Sequence, residues 1–137
     1  LLLVLDVPII CVDPVSRVDL WRLISKAAAG GAGVIMSTTY LDEAERSSAL
    51  LVLDSGVTVV QGTPDEALAS LPGTLEAVET PTRREWAWRR GRLFHEYWPE
   101  GAAPSEGAQP ITPDLEDIVI AASLRRRAMA AAASVSS

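Results

Sequence analysis

Residues 2–14, LLVLDVPIICVDP, decide how this chain is read. Leu2 to Asp6 is a short apolar run ending in a carboxylate, the pattern of a buried strand. Asp13-Pro14 then reads as a helix start, with Asp13 as cap and Pro14 in the first turn, followed by Val18, Trp21, Ile24 and Ala28 at helical spacing. Gly30-Gly31 stops that helix, and Gly33 to Ser37 (GVIMS) is a second strand. A strand, a helix of this length and another strand predict parallel pairing through a crossover, with helices covering the sheet.

The alternation continues. Leu41 to Arg46 reads as a short acidic helix, Ala49 to Asp54 as a strand, Ser55-Gly56 as a turn into the strand Val57 to Gln61, and Pro64 to Leu71 as a helix. In open α/β sheets ligands sit at the carboxyl ends of the strands. Asp6 ends the first strand and Ser37 to Tyr40 follow the second, so the topology puts both on one edge. Beyond Leu71 the pattern loosens. Pro72-Gly73 breaks the chain, Leu75 to Glu79 alternates like a strand, and Arg83 to Arg92 mixes Arg84, Arg89 and Arg90 with Trp86 and Trp88. Leu93 to Trp98 reads as a strand, and residues 100–111 as a linker rich in Gly, Pro and Ala. A last helix begins near Thr112, with Leu115, Ile118, Val119 and Ala122 on one face, and gives way to a frayed Ala- and Ser-rich tail. The arginines from Arg125 to Arg127 read as complementing a helix C-terminus.

Composition limits the function classes. A chain of 137 residues with 48% hydrophobic residues can build one folded domain, with a core made of Leu, Val, Ile and Ala because aromatics reach only 5%. Eighteen acidic against 12 basic residues repel a phosphate backbone over most of the surface, which argues against nucleic acid. The single Cys11 allows no internal disulfide and agrees with a reducing compartment. Leu1 to Leu5 is interrupted by Asp6 and Pro8 and no basic stretch precedes it, so it is neither a signal sequence nor a span. An opening on Leu within an apolar run reads as a start inside a domain.

These residues carry a resemblance to a family. LLVLDVPIICVDP resembles the Walker B strand and D-loop of ABC ATPases, where a pattern like LLLLDEPTxGLDP is usual. The match continues through SRVDLWRLI, through VIMSTTYLDEAE, which resembles a switch-histidine segment like VLVSTHYLDEAE, and through LLVLDSGVTVVQGTPDEAL. It covers Leu1 to about Leu71. ITPDLEDIVIAA resembles the ending PSLEDVFIAL of ATP-binding subunits of drug and antibiotic export pumps. The resemblance implies a partial P-loop NTPase-like parallel sheet with flanking helices over residues 1–71. Residues 72–137 would form a small irregular α+β accessory region. It further implies ATP and Mg²⁺ as cofactors, a second ABC ATPase subunit and a membrane permease as partners, and a cytoplasmic place at the inner face of the membrane.

The implied chemistry is degenerate. A carboxylate ending a buried strand can hold Mg²⁺ through water, which the resemblance assigns to Asp6, although such a residue also serves as a turn or cap. The usual next residue is a Glu that polarises the attacking water, and here it is Val7, which cannot accept a proton. Losing a general base costs about 10² to 10⁴ in rate, or roughly 3–5 kcal/mol of barrier. Ile9 stands where Thr is usual and Cys11 where Gly is usual, and a β-carbon at Cys11 restricts the loop. Thr39 occupies the switch-histidine position, or caps the following helix. Asp13, the D-loop residue, either caps its helix or faces a partner subunit.

No GxxxxGKS or GxxxxGKT phosphate loop and no LSGGQ-like signature occurs in the sequence. The resemblance places the phosphate-loop strand between those ending at Ser37 and Asp54, which predicts a gap in the sheet. His95, the only histidine, has no Cys or His partner at ligand spacing and reads as a strand residue rather than a zinc ligand. Three functions fit: part of an export ATPase inactive by itself, a non-catalytic module that binds a full-length ATPase subunit or permease, or a nucleic-acid binder. The last requires Arg83, Trp86 and Arg90 to share an exposed face.

Overall fold

A computed structural model describes residues 1–102, 104 and 107–135. Positions 103, 105 and 106 of the predicted linker, and 136 and 137 of the predicted tail, lie outside the described residues. Two compact units form, Leu1–Ala44 and Glu45–Ser137. The described residues make four α-helices and three small sheets, a mixed α/β architecture.

In the first unit, β1 (Leu2–Asp6) and β2 (Gly33–Ser37) pair in parallel, in register from Leu2↔Gly33 to Asp6↔Ser37. Between them runs α1 (Pro14–Ala29). Its start follows from sequence: the Asp13 carboxylate accepts from the N–H groups of Val15 and Ser16 at 3.0 and 3.1 Å, and Pro14 has no N–H to satisfy. Its end follows too, since the Gly30 N–H closes on Lys26 and Ala27 carbonyls and Gly31 turns away at φ 90°. A short α2 (Leu41–Ala44) closes the unit, whose buried apolar residues include Ile9 and Ile24. One face of the β1–β2 sheet is bare, with Leu2, Val4 and Ile35 between 59% and 68% exposed.

The second unit opens with a hairpin, β3 (Leu50–Asp54) and β4 (Val57–Gly62). Ser55 and Gly56 both take positive φ, 52° and 77°, the mirror-image turn that matches strand twist. A two-residue link cannot make a crossover, so this pair is antiparallel and the predicted parallel pairing is confined to β1–β2. Strands β2 and β3 belong to separate sheets. Thr63 and Glu66 then form a capping box for α3 (Pro64–Leu68), each side chain bonding the other's N–H.

The region beyond Leu71 is more regular than its sequence suggests. Strands β5 (Gly73–Val78), β6 (Ala87–Arg90), β7 (Leu93–Pro99) and β8 (Gln109–Pro110) form one antiparallel sheet in the order β6-β7-β5-β8. The end of the predicted linker is therefore a strand, tied further by the Ile111 N–H to the Leu75 carbonyl at 3.0 Å. Gly73 is required where it is, because at φ 124° an added β-carbon would run into the Trp98 carbonyl oxygen.

Helix α4 (Leu115–Val135) packs Leu115, Ile118 and Ala121 inward, and Ala121 meets Leu75 and Tyr97 of the sheet. It is helical to Val135, so the tail predicted to fray is the helix's own last turns. Alanine-rich sequence favours helix even when nothing packs on it. The run Arg125 to Arg127 consequently sits mid-helix rather than at its end. There Arg126 pairs with Asp54 at the β3–β4 turn at 2.9 Å, with Arg127 at 3.8 Å.

Asp117 fastens the start of α4 to the sheet. Its buried carboxylate accepts from Trp88 Nε1 at 3.0 Å, lies 2.8 Å from His95 Nδ1, and takes the Asp114 N–H at 3.2 Å. His95 is thus a half-buried strand residue committed to a carboxylate. Burial works to raise the Asp117 pKa, but hydrogen bonds from His95, the Asp114 N–H and Trp88 outweigh it and hold the carboxyl below its ordinary value. Asp117→Ala leaves Trp88 and His95 without their acceptor and should lower stability by about 3 kcal/mol, read from urea midpoints. The pKa values of Asp54, Glu66 and Asp13 are also depressed, first by hydrogen bonds from Arg126, Thr63 and Ser16 respectively. A depressed folded pKa gives stability that is present above the unfolded value and lost as pH falls through the folded one. The melting temperature should therefore hold at neutral pH and decline once pH drops below about 4, and Asp117→Asn should flatten that decline.

Candidate functional site

The parallel register brings the ends of β1 and β2 together, as the topology predicted. Asp6 stands opposite Ser37, and the Ser37 hydroxyl donates to Asp6 Oδ1 at 2.5 Å. The same hydroxyl oxygen accepts the Val7 N–H at 2.8 Å. Asp6 and Ser37 are exposed, and Asp6 Oδ2 carries no hydrogen bond among the described residues. The carboxylate of this exposed residue thus has one oxygen anchored by Ser37.

Val7 leaves the strand with φ 40°, in the left-handed region that a β-branched side chain strongly disfavours. The loop then drops Ile9 into the core, closes the Ile10 and Val12 N–H groups on the Val7 and Ile9 carbonyls at 3.4 and 3.2 Å, and takes Cys11 through φ 61°. Cys11 therefore holds a backbone conformation suited to glycine, the residue that the resembling pattern has there. Its thiol is exposed. Asp13 follows as the helix cap described above, which is the capping alternative left open by the sequence.

The segment after β2 is fastened differently from the prediction. Thr39 is exposed, and the hydroxyl that secures the start of α2 belongs to Thr38, which accepts the Tyr40 N–H at 3.0 Å and donates to Glu43 Oε2 at 2.5 Å. Glu43 is 1% exposed, and its Oε1 has no hydrogen-bond partner among the described residues. Arg17 of α1 lays its guanidinium 5.2 Å from the Tyr40 ring centroid. Sequence reasoning singled out Asp6, Val7, Asp13 and Thr39. It missed Ser37, Thr38 and Glu43 as working residues, although in-register pairing of the strand ends was enough to set Ser37 beside Asp6.

A divalent cation fits this donor set only in part. One carboxylate oxygen beside a hydroxyl suits Mg²⁺, which keeps several waters and takes one or two carboxylates together with phosphate oxygens. Nothing in the sequence supplies the Gly-rich cradle and Lys that would hold those phosphates. No cluster of three or more His, Cys, Asp or Glu able to hold a metal occurs among the described residues.

Arg83, Trp86 and Arg90 are half-buried and do not share an exposed face. Arg83 stacks 4.1 Å from the Trp98 ring and 5.8 Å from Trp86, bonds the Tyr97 carbonyl, and lies 4.0 Å from buried Glu96. Arg90 is instead bound by Asp114 and Glu116 at the start of α4. The arrangement that base stacking requires is absent at these residues.

No family model matches the chain. Over about half its length it is similar to ABC transporter ATP-binding proteins of the drug-export type. It is 35% identical over 79 residues to "Probable multidrug ABC transporter ATP-binding protein YbhF" of Escherichia coli K12, covering 58% of this chain and 14% of that protein. It is 37% identical over 71 residues to the daunorubicin/doxorubicin resistance ATP-binding protein DrrA of Streptomyces peucetius, covering 51% of this chain and 22% of DrrA. To the Nod factor export ATP-binding protein I of a Bradyrhizobium species it is 37% identical over 65 residues, covering 47% and 21%. The chain thus spans between about a seventh and a quarter of the length of the relatives it matches. No helix among the described residues is long and apolar enough to cross a membrane.

The strain at Cys11 gives a direct test of the loop. A non-glycine residue in the left-handed region costs about 1–2 kcal/mol, while glycine adds roughly 0.4–1 kcal/mol of unfolded-state entropy. Cys11→Gly should therefore stabilise the chain by about 0.5–1 kcal/mol, measured as a rise in urea midpoint with unchanged slope.

Proposed function

We propose that this chain is part of the ATP-binding subunit of an ABC-type exporter, holding its Walker B strand, D-loop and switch segment but unable to hydrolyse ATP by itself. The observation that carries the reading is the strand end: parallel β1 and β2 bring the exposed Asp6 and the segment 37–40 to one edge. Similarity to export ATP-binding proteins over about half the chain supports it.

In this reading residues 1–71 are part of a P-loop NTPase-like core and 72–137 an accessory region ending in α4. Asp6 is the Mg²⁺ residue, acting through water, and Asp13 is the D-loop residue on the dimer side. Bound Mg²⁺ would neutralise charge on the nucleotide's phosphates. The chain's own residues cannot complete the reaction. Val7 offers no atom that accepts a proton from water, and the exposed Thr39 hydroxyl carries no positive charge. The partners are an intact ABC ATPase subunit and a membrane permease, at the cytoplasmic face of a membrane. A second reading, a non-catalytic module that binds such a subunit, is favoured by the bare β1–β2 face of Leu2, Val4 and Ile35.

The test is ATP binding and hydrolysis by the purified chain with Mg²⁺, alone and mixed with an intact export ATPase subunit. No turnover alone is expected, and Val7→Glu should not create it because the phosphate cradle is missing. Turnover by the chain alone would overturn the proposal. A change in the intact subunit's activity on mixing would select the binding-module reading.

A further inference from the structure

We infer that the recess where β5 hands over to β6 is a binding site for a small zwitterion, an α-amino acid with an apolar side chain, whose carboxylate meets Arg84 and whose ammonium meets Glu79. The recess holds about 290 Å³ and is lined by Glu79, Thr80, Pro81, Arg84, Ala87 and Phe94. It lies on the sheet face away from α4, because Trp88 and His95 reach Asp117 and their strand neighbours Ala87 and Phe94 therefore point to the other side. None of the lining residues belongs to the strand end of the smaller unit, so the inference is independent of the reading of Asp6.

The backbone of the recess is held in place before any ligand arrives, which lowers the cost of binding. Glu96 is fully buried, and its carboxylate takes the Thr82 and Arg83 N–H groups at 3.1 and 2.6 Å, while the Trp86 N–H closes on the Arg83 carbonyl at 2.9 Å. Arg84 follows directly on that clamp. Arg83 and Arg90 of the same stretch are taken by carboxylates, but Arg84 is not. Arg84 and Glu79 are both exposed and line one recess, yet their side chains make no ion pair or hydrogen bond with each other or with another described residue. A simple anion would face Glu79 and a simple cation would face Arg84, so a ligand carrying both charges is the one that suits both walls. Between them Phe94, Pro81 and Ala87 supply an apolar surface for a side chain. The volume stands at the small end of ligand cavities, which begin near about 300 Å³, and suits a single amino acid rather than a longer peptide.

The experiment titrates the full chain with L-phenylalanine, with phenylalaninamide, which lacks the carboxylate, and with N-acetyl-L-phenylalanine, which lacks the ammonium. The readout is the backbone amide shift at Glu79, Thr80, Arg84, Ala87 and Phe94. L-Phenylalanine should give saturable shifts at these amides with a Kd on the order of 1 mM, because two exposed charge pairs and a small apolar contact make a weak complex. Each analogue should bind about twofold to fivefold more weakly. Arg84→Gln should bind L-phenylalanine no better than phenylalaninamide, and Glu79→Gln should bind it no better than N-acetyl-L-phenylalanine. A general loss of structure would not match each substitution to one analogue. Both residues are exposed, so neither variant opens a cavity in the core. The inference is wrong if L-phenylalanine gives no saturable shifts at these amides, or if the parent chain binds all three compounds equally.

Discussion

Five in-register pairs between two parallel strands, Leu2↔Gly33 through Asp6↔Ser37, set everything that the smaller unit can do. A shift of one residue would turn each side chain to the opposite face and separate Asp6 from Ser37. The register is held from both sides by the α1 crossover, whose start is fixed by the Asp13 cap and whose end is fixed by Gly30. The pairing leaves each strand with an open edge among the described residues, and leaves Leu2, Val4 and Ile35 bare. Two parallel strands normally sit inside a larger sheet covered on both faces. The composition of β1 and β2 fits that setting better than it fits an isolated pair.

The larger unit solves a different problem. A long helix laid on a four-stranded antiparallel sheet gains apolar contact at Leu115, Ile118 and Ala121, but hydrophobic contact does not select one placement of the helix along the sheet. Polar groups supply that selection. Asp117 takes donors from both β6 and β7, Arg90 reaches back to Asp114 and Glu116, and nine residues after Asp117 Arg126 meets Asp54. The helix is pinned at its first turn and again near its middle. Between those points the β3–β4 hairpin and the four-stranded sheet share one helical support.

At the strand end, the backbone conformation is not the one its side chains favour. Cys11 has a positive φ that suits glycine, and Val7 has a left-handed conformation that suits almost no β-branched residue. The chain path there follows from the strand, the Asp13 cap and the burial of Ile9, none of which depends on the side chains at 7 and 11.

The sequence by itself determined the local elements of residues 1–71: β1 and β2 from apolar runs, α1 from Asp13-Pro14 and Gly30-Gly31, and the hairpin turn from Ser55-Gly56. Each is set by neighbours within a few residues, through caps, turn torsions and periodicity, so it is legible without the fold. Asp6 and the 37–40 segment at one edge were legible too, because parallel pairing through a crossover leaves that arrangement as the natural one. Only the tertiary structure decided that Ser37 bonds Asp6, that Thr38 rather than Thr39 secures α2, and that Glu43 is buried. It alone committed Arg83 and Arg90 to separate carboxylates, made a strand of Gln109–Pro110, and paired Arg126 with Asp54. Those outcomes depend on partners between 5 and 72 residues away, whose proximity is a property of packing and leaves no periodic trace in the chain.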